Sequence, residues 1–500
     1  MRASLCLIAA ACMLLFAATG HAAEDASARS PIPAVVADLD GVPVTGDEAR
    51  ETVLTYLAAP TLERRVANKF LQRTIFRREA ARLGCSVTDA AIRDQLAAWA
   101  EEAGGVASLR TRFDQMGLDW YGLRSLAEDH LLIAAIVRTR NGLAGDVVPS
   151  PAELQEVAAA LADAYAPQFH GLRHGVVGTV GGTDLTAADL DAFLVTCLAP
   201  AFWRNRMEQL VSWRRILRAA EDRGIALGPL DLQRAEARLR RQVARDASRI
   251  DAPLRMSLKG LLRSQGLTAE SLRQTLLFRA QAALLKLIAP SLTDDALVAL
   301  YDAERESFRI VRARHILFAF DPDAPYARPS PDDALKAGAR RRLEAFLAEL
   351  DSHPLPRPMP VERFAELART WSDCAQTRAR GGDLLYLIRD PGLSELVSPT
   401  DYNLDHGTDS AGRPVSPIAA PSPALAEAVF ALEDGTVSAP VESPYGFHVL
   451  RRDGSRLPDN WRAVRDALYE LQIRLRSTAL VRELADTYPV AFHWEPWADH

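Results

Sequence analysis

The sequence contains few cysteines. It has no excess of basic over acidic residues, and no long apolar run follows its first residues. The chain has 5 cysteines among 500 residues, and their spacing fits no metal-binding or disulfide framework. Its 59 basic and 65 acidic residues give a net charge of −6. Because nucleic-acid binders carry a basic face, we expect no nucleic-acid partner. Beyond Phe16 no stretch is apolar enough to span a bilayer.

The first residues of the chain are typical of export. Arg2 precedes the uncharged apolar run Leu5–Phe16, and small residues end at Ala22. This pattern predicts a secretory signal peptide, residues 1–22, and a mature chain in the periplasm without membrane contact. An uncleaved anchor that faces the periplasm is the alternative interpretation. After cleavage an odd number of cysteines remains, so at least one is unpaired or reactive. They are Cys85, Cys197 and Cys374.

Composition divides the chain into a helical part and a smaller mixed part. Residues 35–300 are rich in Ala, Leu, Arg and Glu, with apolar residues at helical spacing. After Phe308 the order becomes strand–helix–helix–strand–strand, with Arg312–Phe320 apolar on both faces like a central strand. We therefore expect an α+β protein. The predicted segments after residue 22 are helical units 23–145 and 146–307, an α+β domain 308–455, and a C-terminal helix and tail 456–500.

The helical part contains landmarks that recur in the same order. Val35–Thr45 resembles Val176–Thr186, each with a short strand, a glycine turn and a threonine that can cap a helix. Three further matches have similar offsets: Gly84 with Gly224, Gly117-Leu118 with Gly266-Leu267, and Phe169 with Phe308. Near-constant spacing favours a duplicated unit. Chance matches within a long helical region are the alternative.

Six motifs of the mixed part resemble parvulin-type peptidyl-prolyl cis/trans isomerases, in the order of that family. They are Ala313–Leu317, Phe364–Ala368, Ser372–Cys374, Gly381–Leu384, Val429–Leu432 and Tyr445–Leu450. With less specificity, the helical units resemble the chaperone region of the SurA, PrsA and PpiD group. The resemblance implies a small parvulin-like α+β domain that follows a mainly helical chaperone region.

The same resemblance implies the site residues. His315 and His448 would form a histidine pair on neighbouring strands, with Cys374 beside the substrate carbonyl and hydrogen-bond donors from Ser443 and Tyr445. Leu425, Phe430 and Tyr386 would bind the substrate. A purely structural pair of buried histidines is the alternative. A covalent Cys–His nucleophile is disfavoured, because no hydrolase signature surrounds Cys374.

Two departures from the family concern the proline pocket and a loop. Leu425 and Pro421 stand where relatives usually have Phe and Met, so the pocket loses an aromatic wall. The segment Arg389–Pro423 is a long insertion, where relatives have a short loop. Within it, Asp405–Asp409 offers oxygen and imidazole ligands, but its composition favours a polar turn, so we expect no metal or other cofactor.

The resulting prediction is a peptidyl-prolyl isomerase and folding chaperone for secreted or outer-membrane proteins. Its partners would be unfolded or partly folded exported polypeptides that contain X-Pro bonds. The alternatives are a non-catalytic, parvulin-like holdase and an assembly factor for one pathway.

The C-terminal helix carries one continuous apolar stripe at helical spacing. Since a lone amphipathic helix cannot bury such a stripe, we expect it to pack on the helical N-terminal region. The residues of the stripe are Trp461, Val464, Leu468, Leu471 and Leu475.

Overall fold

The chain divides by its contacts into two compact units. Unit 1 comprises residues 1–287 and 478–500, and unit 2 comprises residues 288–477. Residues 1–22, Asp405–Asp409 and Pro421 lie outside the described residues. The computed structural model describes residues 32–57, 60–115, 118–145, 147–249, 258–264, 268–323, 333–352, 358–402, 404, 418–419 and 422–495.

Unit 1 combines helices with two small antiparallel sheets, of strand order β11-β1-β2 and β3-β4-β5. Its strands are β1 Val35–Leu39, β2 Val42–Thr45, β3 Gln168–Phe169, β4 Val176–Val180, β5 Thr183–Thr186 and β11 Val490–Phe492. Its helices are α1 Gly46–Leu57, α2 Pro60–Leu83, α3 Asp89–Ala103, α4 Val106–Gln115, α5 Leu123–Asn141, α6 Pro151–Tyr165, α7 Ala187–Cys197, α8 Pro200–Asp222, α9 Pro229–Arg249, α10 Leu258–Ser264, α11 Ala269–Gln274 and α12 Leu276–Ile288.

The two hairpins of unit 1 form where the sequence places tight turns. Asp40 and Gly41 join β1 to β2 with φ of 50° and 79°, a region that glycine and aspartate tolerate best. Each hairpin runs into a helix that its last threonine caps, as predicted. The Thr45 hydroxyl accepts from the Glu48 amide at 3.3 Å, and the Thr186 hydroxyl accepts from the Asp189 amide at 3.4 Å. Such bonds satisfy amides that have no partner inside the helix.

Unit 2 is built on a five-stranded sheet of order β8-β7-β6-β10-β9. Its strands are β6 Ile310–Ala319, β7 Asp383–Ile388, β8 Ile418–Ala419, β9 Val441–Ser443 and β10 Gly446–Arg456. Its helices are α13 Asp294–Glu304, α14 Asp333–Ser352, α15 Val361–Trp371, α16 Ala375–Arg378, α17 Pro391–Ser394 and α18 Pro423–Ala431, followed by α19 Arg465–Thr487, which continues into unit 1.

The central strand β6 is buried on both faces, as its apolar sequence predicts. Side chains alternate across a strand, so Ile316 and Phe318 pack with α14 and α15 on one face. Val311 and Ala313 pack on the other face, with α18 and Leu387. Burying each large apolar side chain stabilises the fold by roughly 1.5–3 kcal/mol before entropy is counted.

The prediction that the C-terminal stripe packs on the helical N-terminal region is confirmed in part, because the core that buries the stripe includes side chains of α13, which belongs to the predicted unit 146–307. Val464 and Leu468 are buried in a core with Phe308 of unit 2. Strands β6 and β7 contribute Ile310 and Ile388 to the same core. The end of β6 near Ile310 and strand β7 together form an apolar surface, and α19 covers it. The stripe therefore also packs on the mixed domain, which needs this helix to cover its core.

We expect Leu468→Ala to lower the free energy of unfolding of unit 2 by about 2–5 kcal/mol, because it leaves a cavity in this core. Leu475 belongs to the same predicted stripe but is 48% exposed. Leu475→Ala is therefore the matched control and should change stability by about 0.5 kcal/mol or less. Urea unfolding of both variants checks this, and equal effects would contradict the assignment.

Candidate active site

The pairing of β6 with β10 brings the two predicted histidines together. His448 lies opposite Leu317 and His315 lies opposite Leu450, so the histidines are diagonal neighbours on one face of the sheet. Their rings stack with centroids 5.5 Å apart and an interplanar angle of 20°. Both are only 4% exposed, which places them in the core of unit 2.

A continuous hydrogen-bonded chain passes through both imidazoles. The Nδ1 atoms of His315 and His448 are 3.3 Å apart. His315 Nε2 lies 2.8 Å from the Thr377 hydroxyl, and His448 Nε2 lies 2.9 Å from the Ser443 hydroxyl. Ser443 Oγ in turn lies 3.2 Å from the Gly446 carbonyl oxygen. All four ring nitrogens therefore have a partner.

The carbonyl at the end of this chain fixes the direction of its protons. A carbonyl only accepts, so the Ser443 hydroxyl donates to Gly446 and accepts from His448 Nε2–H. His448 Nδ1 then accepts from His315 Nδ1–H, and His315 Nε2 accepts from the Thr377 hydroxyl. Each imidazole carries one proton in this arrangement, so both histidines are neutral and every member is satisfied.

Burial keeps these histidines neutral. Desolvation lowers the pKa of His315 from 6.5 to about 4. Desolvation also lowers the pKa of His448 to about 3, and the neighbouring His315 adds to the effect. Both imidazoles are therefore uncharged near pH 7.

The segment that carries Cys374 bonds to the part of β6 beyond Arg314, where the pairing of β6 with β7 stops. The Ser372 hydroxyl accepts from the Leu317 amide at 3.1 Å, and the Asp373 amide donates to the Leu317 carbonyl at 2.8 Å. The Asp373 carboxylate accepts from the Ala319 amide at 2.8 Å. Cys374 consequently packs against Leu317 and Ala319, on the same face of the sheet as the histidine pair.

Thr377 is a member of the site that the sequence analysis missed. Cys374 is the N-cap of the short helix α16, and the Thr377 amide donates to the Cys374 carbonyl at 3.2 Å. One helical turn thus separates Cys374, which carries the thiol, from Thr377, whose hydroxyl bonds His315. The available signal was a threonine three residues after the Ser-Asp-Cys motif, the spacing of one turn.

The loop after α16 is held by the close approach of Gly382 to β6 and by a buried ion pair of Arg314. A Cβ on Gly382 would lie 2.3 Å from the His315 carbonyl oxygen, so only glycine lets this loop pass β6. The Arg314 guanidinium donates to the carbonyls of Arg380 and Gly381, both at 3.1 Å. Arg314 is paired with Asp453 at 2.9 Å, and a buried charge persists only when it is paired in this way.

The predicted substrate-binding residues are brought together only in part. Leu425 and Phe430 of α18 pack on the histidine face of the sheet, but they are 3% and 9% exposed. Arg389 covers the Phe430 ring at 5.0 Å. Tyr386 is not brought to the site. It lies opposite Arg312 and packs against the core that contains α19, so alternation places it on the other face.

The turn between β9 and β10 contains the remaining two predicted residues. Ser443 is buried and belongs to the histidine chain described above. Tyr445 is half-buried, and its amide donates to the Ser443 hydroxyl at 3.2 Å. The Tyr445 carbonyl accepts from the Phe320 amide at 2.9 Å, which ties the turn to the end of β6. The turn thus holds the Ser443 hydroxyl on His448, with Tyr445 two residues further along the same turn.

One family model matches the segment that contains this geometry. Residues 315–454 match the model described as "Rotamase: PPIC-type PPIASE domain". This segment is therefore similar to a PPIC-type rotamase domain. The matched segment contains every member of the histidine chain and ends within β10.

Curated relatives match parts of the chain. The foldase protein PrsA of Caldanaerobacter subterraneus is 28% identical over 162 residues, 32% of this chain and 35% of PrsA. NifM of Azotobacter vinelandii is 28% identical over 241 residues, 47% of this chain and 64% of NifM. The chaperone SurA of Alkalilimnicola ehrlichii is 31% identical over 184 residues, 34% of this chain and 32% of SurA. The chain thus spans about a third to two thirds of these relatives.

Solved structures also match, with low TM-scores. The crystal structure of the peptidylprolyl isomerase PrsA from Bacillus anthracis is 15% identical, with a TM-score of 0.26. That match covers 56% of this chain and 96% of PrsA. A score this low carries no weight for the fold. Among the described helices, none is both long and apolar enough to cross a membrane.

The neutral histidine pair predicts a stability that falls with acid. The unfolded chain takes up two protons as the pH drops from about 6.5 to 4, and the folded chain does not. The free energy of unfolding should therefore fall over this window, by up to about 1.4 kcal/mol per pH unit for each histidine. Urea unfolding of the protein and of His448→Gln between pH 4.5 and 7 measures this. A slope that stays unchanged in the variant would contradict the prediction.

Proposed function

We propose that the protein is a peptidyl-prolyl cis/trans isomerase that also acts as a folding chaperone. Its clients are unfolded or partly folded exported polypeptides with X-Pro bonds, and it acts in the periplasm after loss of residues 1–22. The observation that carries the isomerase proposal is the buried chain Thr377–His315–His448–Ser443, which lies inside the rotamase segment. The NifM relative is described as a putative peptidyl-prolyl cis-trans isomerase, and the PrsA and SurA relatives are described as a foldase and a chaperone, which supports the two parts of the proposal.

The reaction needs little from such a site beyond shape and fixed dipoles. Rotation about a peptide bond has a barrier of about 18–20 kcal/mol, because the amide loses its resonance at the twisted state. No bond to the enzyme has to form. Groups that are already oriented stabilise the twisted amide without rearrangement, which lowers the barrier more than it tightens substrate binding.

The neutral histidines suit this orienting role. They fix the Ser443 hydroxyl, and through it the Ser443–Tyr445 turn, in one position. Cys374 lies on the same face, held by its own attachments to β6. A charged imidazole would draw water into the site and weaken the apolar environment that an X-Pro segment prefers. Thr377, His315, His448 and Ser443 are therefore positioning residues, and Tyr445 and Cys374 are the groups proposed to face the substrate.

A second candidate function is a holdase whose rotamase domain binds peptides without turnover. The burial of Leu425 and Phe430 favours it, because little of the predicted proline pocket is open. Arg389 over the Phe430 ring closes it further. Peptide binding without acceleration of isomerisation would select this function over the first.

We expect Ser443→Ala to lower kcat by roughly 5- to 150-fold, because the His448 ring and the Ser443–Tyr445 turn lose the hydrogen bonds that orient them and the barrier rises by about 1–3 kcal/mol. KM should change little, since the oriented groups act on the twisted state. Ser438→Ala is the control: that hydroxyl accepts from the Leu450 amide at 3.0 Å in the same sheet, outside the chain. A proline-limited peptide assay measures both variants. Equal kcat values in the two folded variants would make the histidine chain structural only.

We expect chaperone activity to survive loss of the isomerase site. His448→Ala should abolish most turnover and still suppress aggregation of an unfolded client as well as the unaltered protein does, because client binding is assigned to the helical unit 1. Light scattering of a chemically denatured client on dilution measures this. Loss of protection by a folded His448→Ala variant would show that the two activities share one site.

A further inference from the structure

The two hairpins of unit 1 match residue by residue at an offset of 141. Both consist of a five-residue and a four-residue strand. In both, two turn residues have positive φ: Asp40 and Gly41, then Gly181 and Gly182. The ladder of each hairpin shifts register at the same place, after Val35 and after Val176. A shared irregularity at one offset is a feature that independent hairpins would not be expected to share.

Each hairpin takes its third strand from a segment with nearly the same sequence. Residues 161–170 read LADAYAPQFH and residues 484–493 read LADTYPVAFH, identical at six of ten positions with an offset of 323. Phe169 in β3 lies opposite Gly178, and Phe492 in β11 lies opposite Ala37. These two pairs are equivalent under both offsets. The repeat partner of Phe169 is thus Phe492, and the match to Phe308 made from sequence is replaced.

The hydrogen bonds of the two segments are equivalent as well. The His170 amide donates to the Val177 carbonyl at 2.8 Å, and the His493 amide donates to the Val36 carbonyl at 2.9 Å. Each segment also anchors its tyrosine on an acid near the end of a long helix. The Tyr165 hydroxyl donates to Glu79 of α2 at 3.1 Å, and the Tyr488 hydroxyl donates to Asp222 of α8 at 2.7 Å.

Chain order shows that these strands are exchanged. The first copy begins with β1–β2 and ends with residues 161–170, but that end pairs with β4 of the second copy. The second copy begins with β4–β5 and ends with residues 484–493, which pair with β1 of the first copy. Arg50 and Asp191, equivalent at the offset of 141, contact each other at 2.6 Å. In a two-fold arrangement, residues meet their own equivalents only near the axis.

We propose that unit 1 is an intramolecular dimer of one module, whose hairpins each bind the terminal strand segment of the other copy. The first copy is residues 35–170, and the second is residues 176–287 and 478–493, interrupted by unit 2. The outer edge of each hairpin, formed by β1 or β4, is a binding surface for a segment of the same chain. That segment carries the LAD-x-Y and Phe-His pattern. Because both edges are filled within one chain, neither β1 nor β4 offers an unpaired edge to a second molecule at this position.

The copies differ in what they carry. In the first copy, Ser150 is the N-cap of α6, and Leu161 lies within that helix. The equivalent N-cap in the second copy is Thr293, and the equivalent leucine is Leu484. The offset grows from 143 to 323 between these positions, and the segment that matches the rotamase model, residues 315–454, lies inside the extra length. Only the second copy holds the isomerase domain.

Engineered disulfides in the full chain test the exchange. Asp38 lies opposite Ala491, and the equivalent Thr179 lies opposite Gln168. Directly opposed residues have Cα atoms about 4.5–5.5 Å apart, within the range of about 4.4–6.8 Å that a disulfide needs. The variants are Asp38→Cys with Ala491→Cys, Gln168→Cys with Thr179→Cys, and, as control, Asp38→Cys with Gln168→Cys. The 5 native cysteines are replaced by alanine throughout.

Under mild oxidation the first two pairs should form a disulfide within one chain, in most molecules, and the control pair should form none. Non-reducing gels and peptide mapping read the linkage, and light scattering should give the mass of one chain. A disulfide in the control pair would mean that each copy keeps its own strand. Linked species of doubled mass would mean exchange between two molecules. Either result overturns the proposal, as does the absence of linkage in both equivalent pairs of folded variants.

Discussion

The antiparallel pairing of β6 with β10 is the interaction on which the candidate site depends. A slip of one residue would move every side chain of β6 to the opposite face. His315 would then leave His448 and take the place of Ile316 in the core with α14 and α15. The charged residues of the strand exclude that register, because Arg312 and Arg314 would leave Asp383 and Asp453 and enter the core with α18. The geometry of the histidine pair therefore follows from the packing of the core.

Much of this arrangement could be predicted from the sequence because its signals are local. The apolar run around Ile316 identifies a central strand, and the Tyr445–Leu450 motif identifies its neighbour. Helix α18 ends at Ala431, within the Val429–Leu432 motif. The threonine caps at Thr45 and Thr186 could be identified for the same reason, since a cap depends on residues within one turn.

The elements that could not be predicted depend on contacts that are distant in sequence. Thr377 joins the site because the loop after α16 folds back onto β6, and Tyr386 is absent from it because Tyr386 lies opposite Arg312, on the other face of the sheet. Leu385 adopts φ of 61°, a conformation that its side chain disfavours and that only the surrounding structure imposes. The stripe of α19 shows that a helix can be amphipathic, but periodicity does not identify the surface that buries it.

The occupied ring nitrogens also decide between two kinds of chemistry for Cys374. A cysteine nucleophile requires an imidazole nitrogen that can take the thiol proton. His315 uses Nδ1 for His448 and Nε2 for Thr377, and His448 uses Nε2 for Ser443. Taking up a proton would also charge an imidazole whose pKa burial has lowered to about 4 or about 3. Among the described residues, no imidazole nitrogen of the pair is free to take the thiol proton, which disfavours covalent catalysis by Cys374 and is compatible with a site of fixed, neutral dipoles.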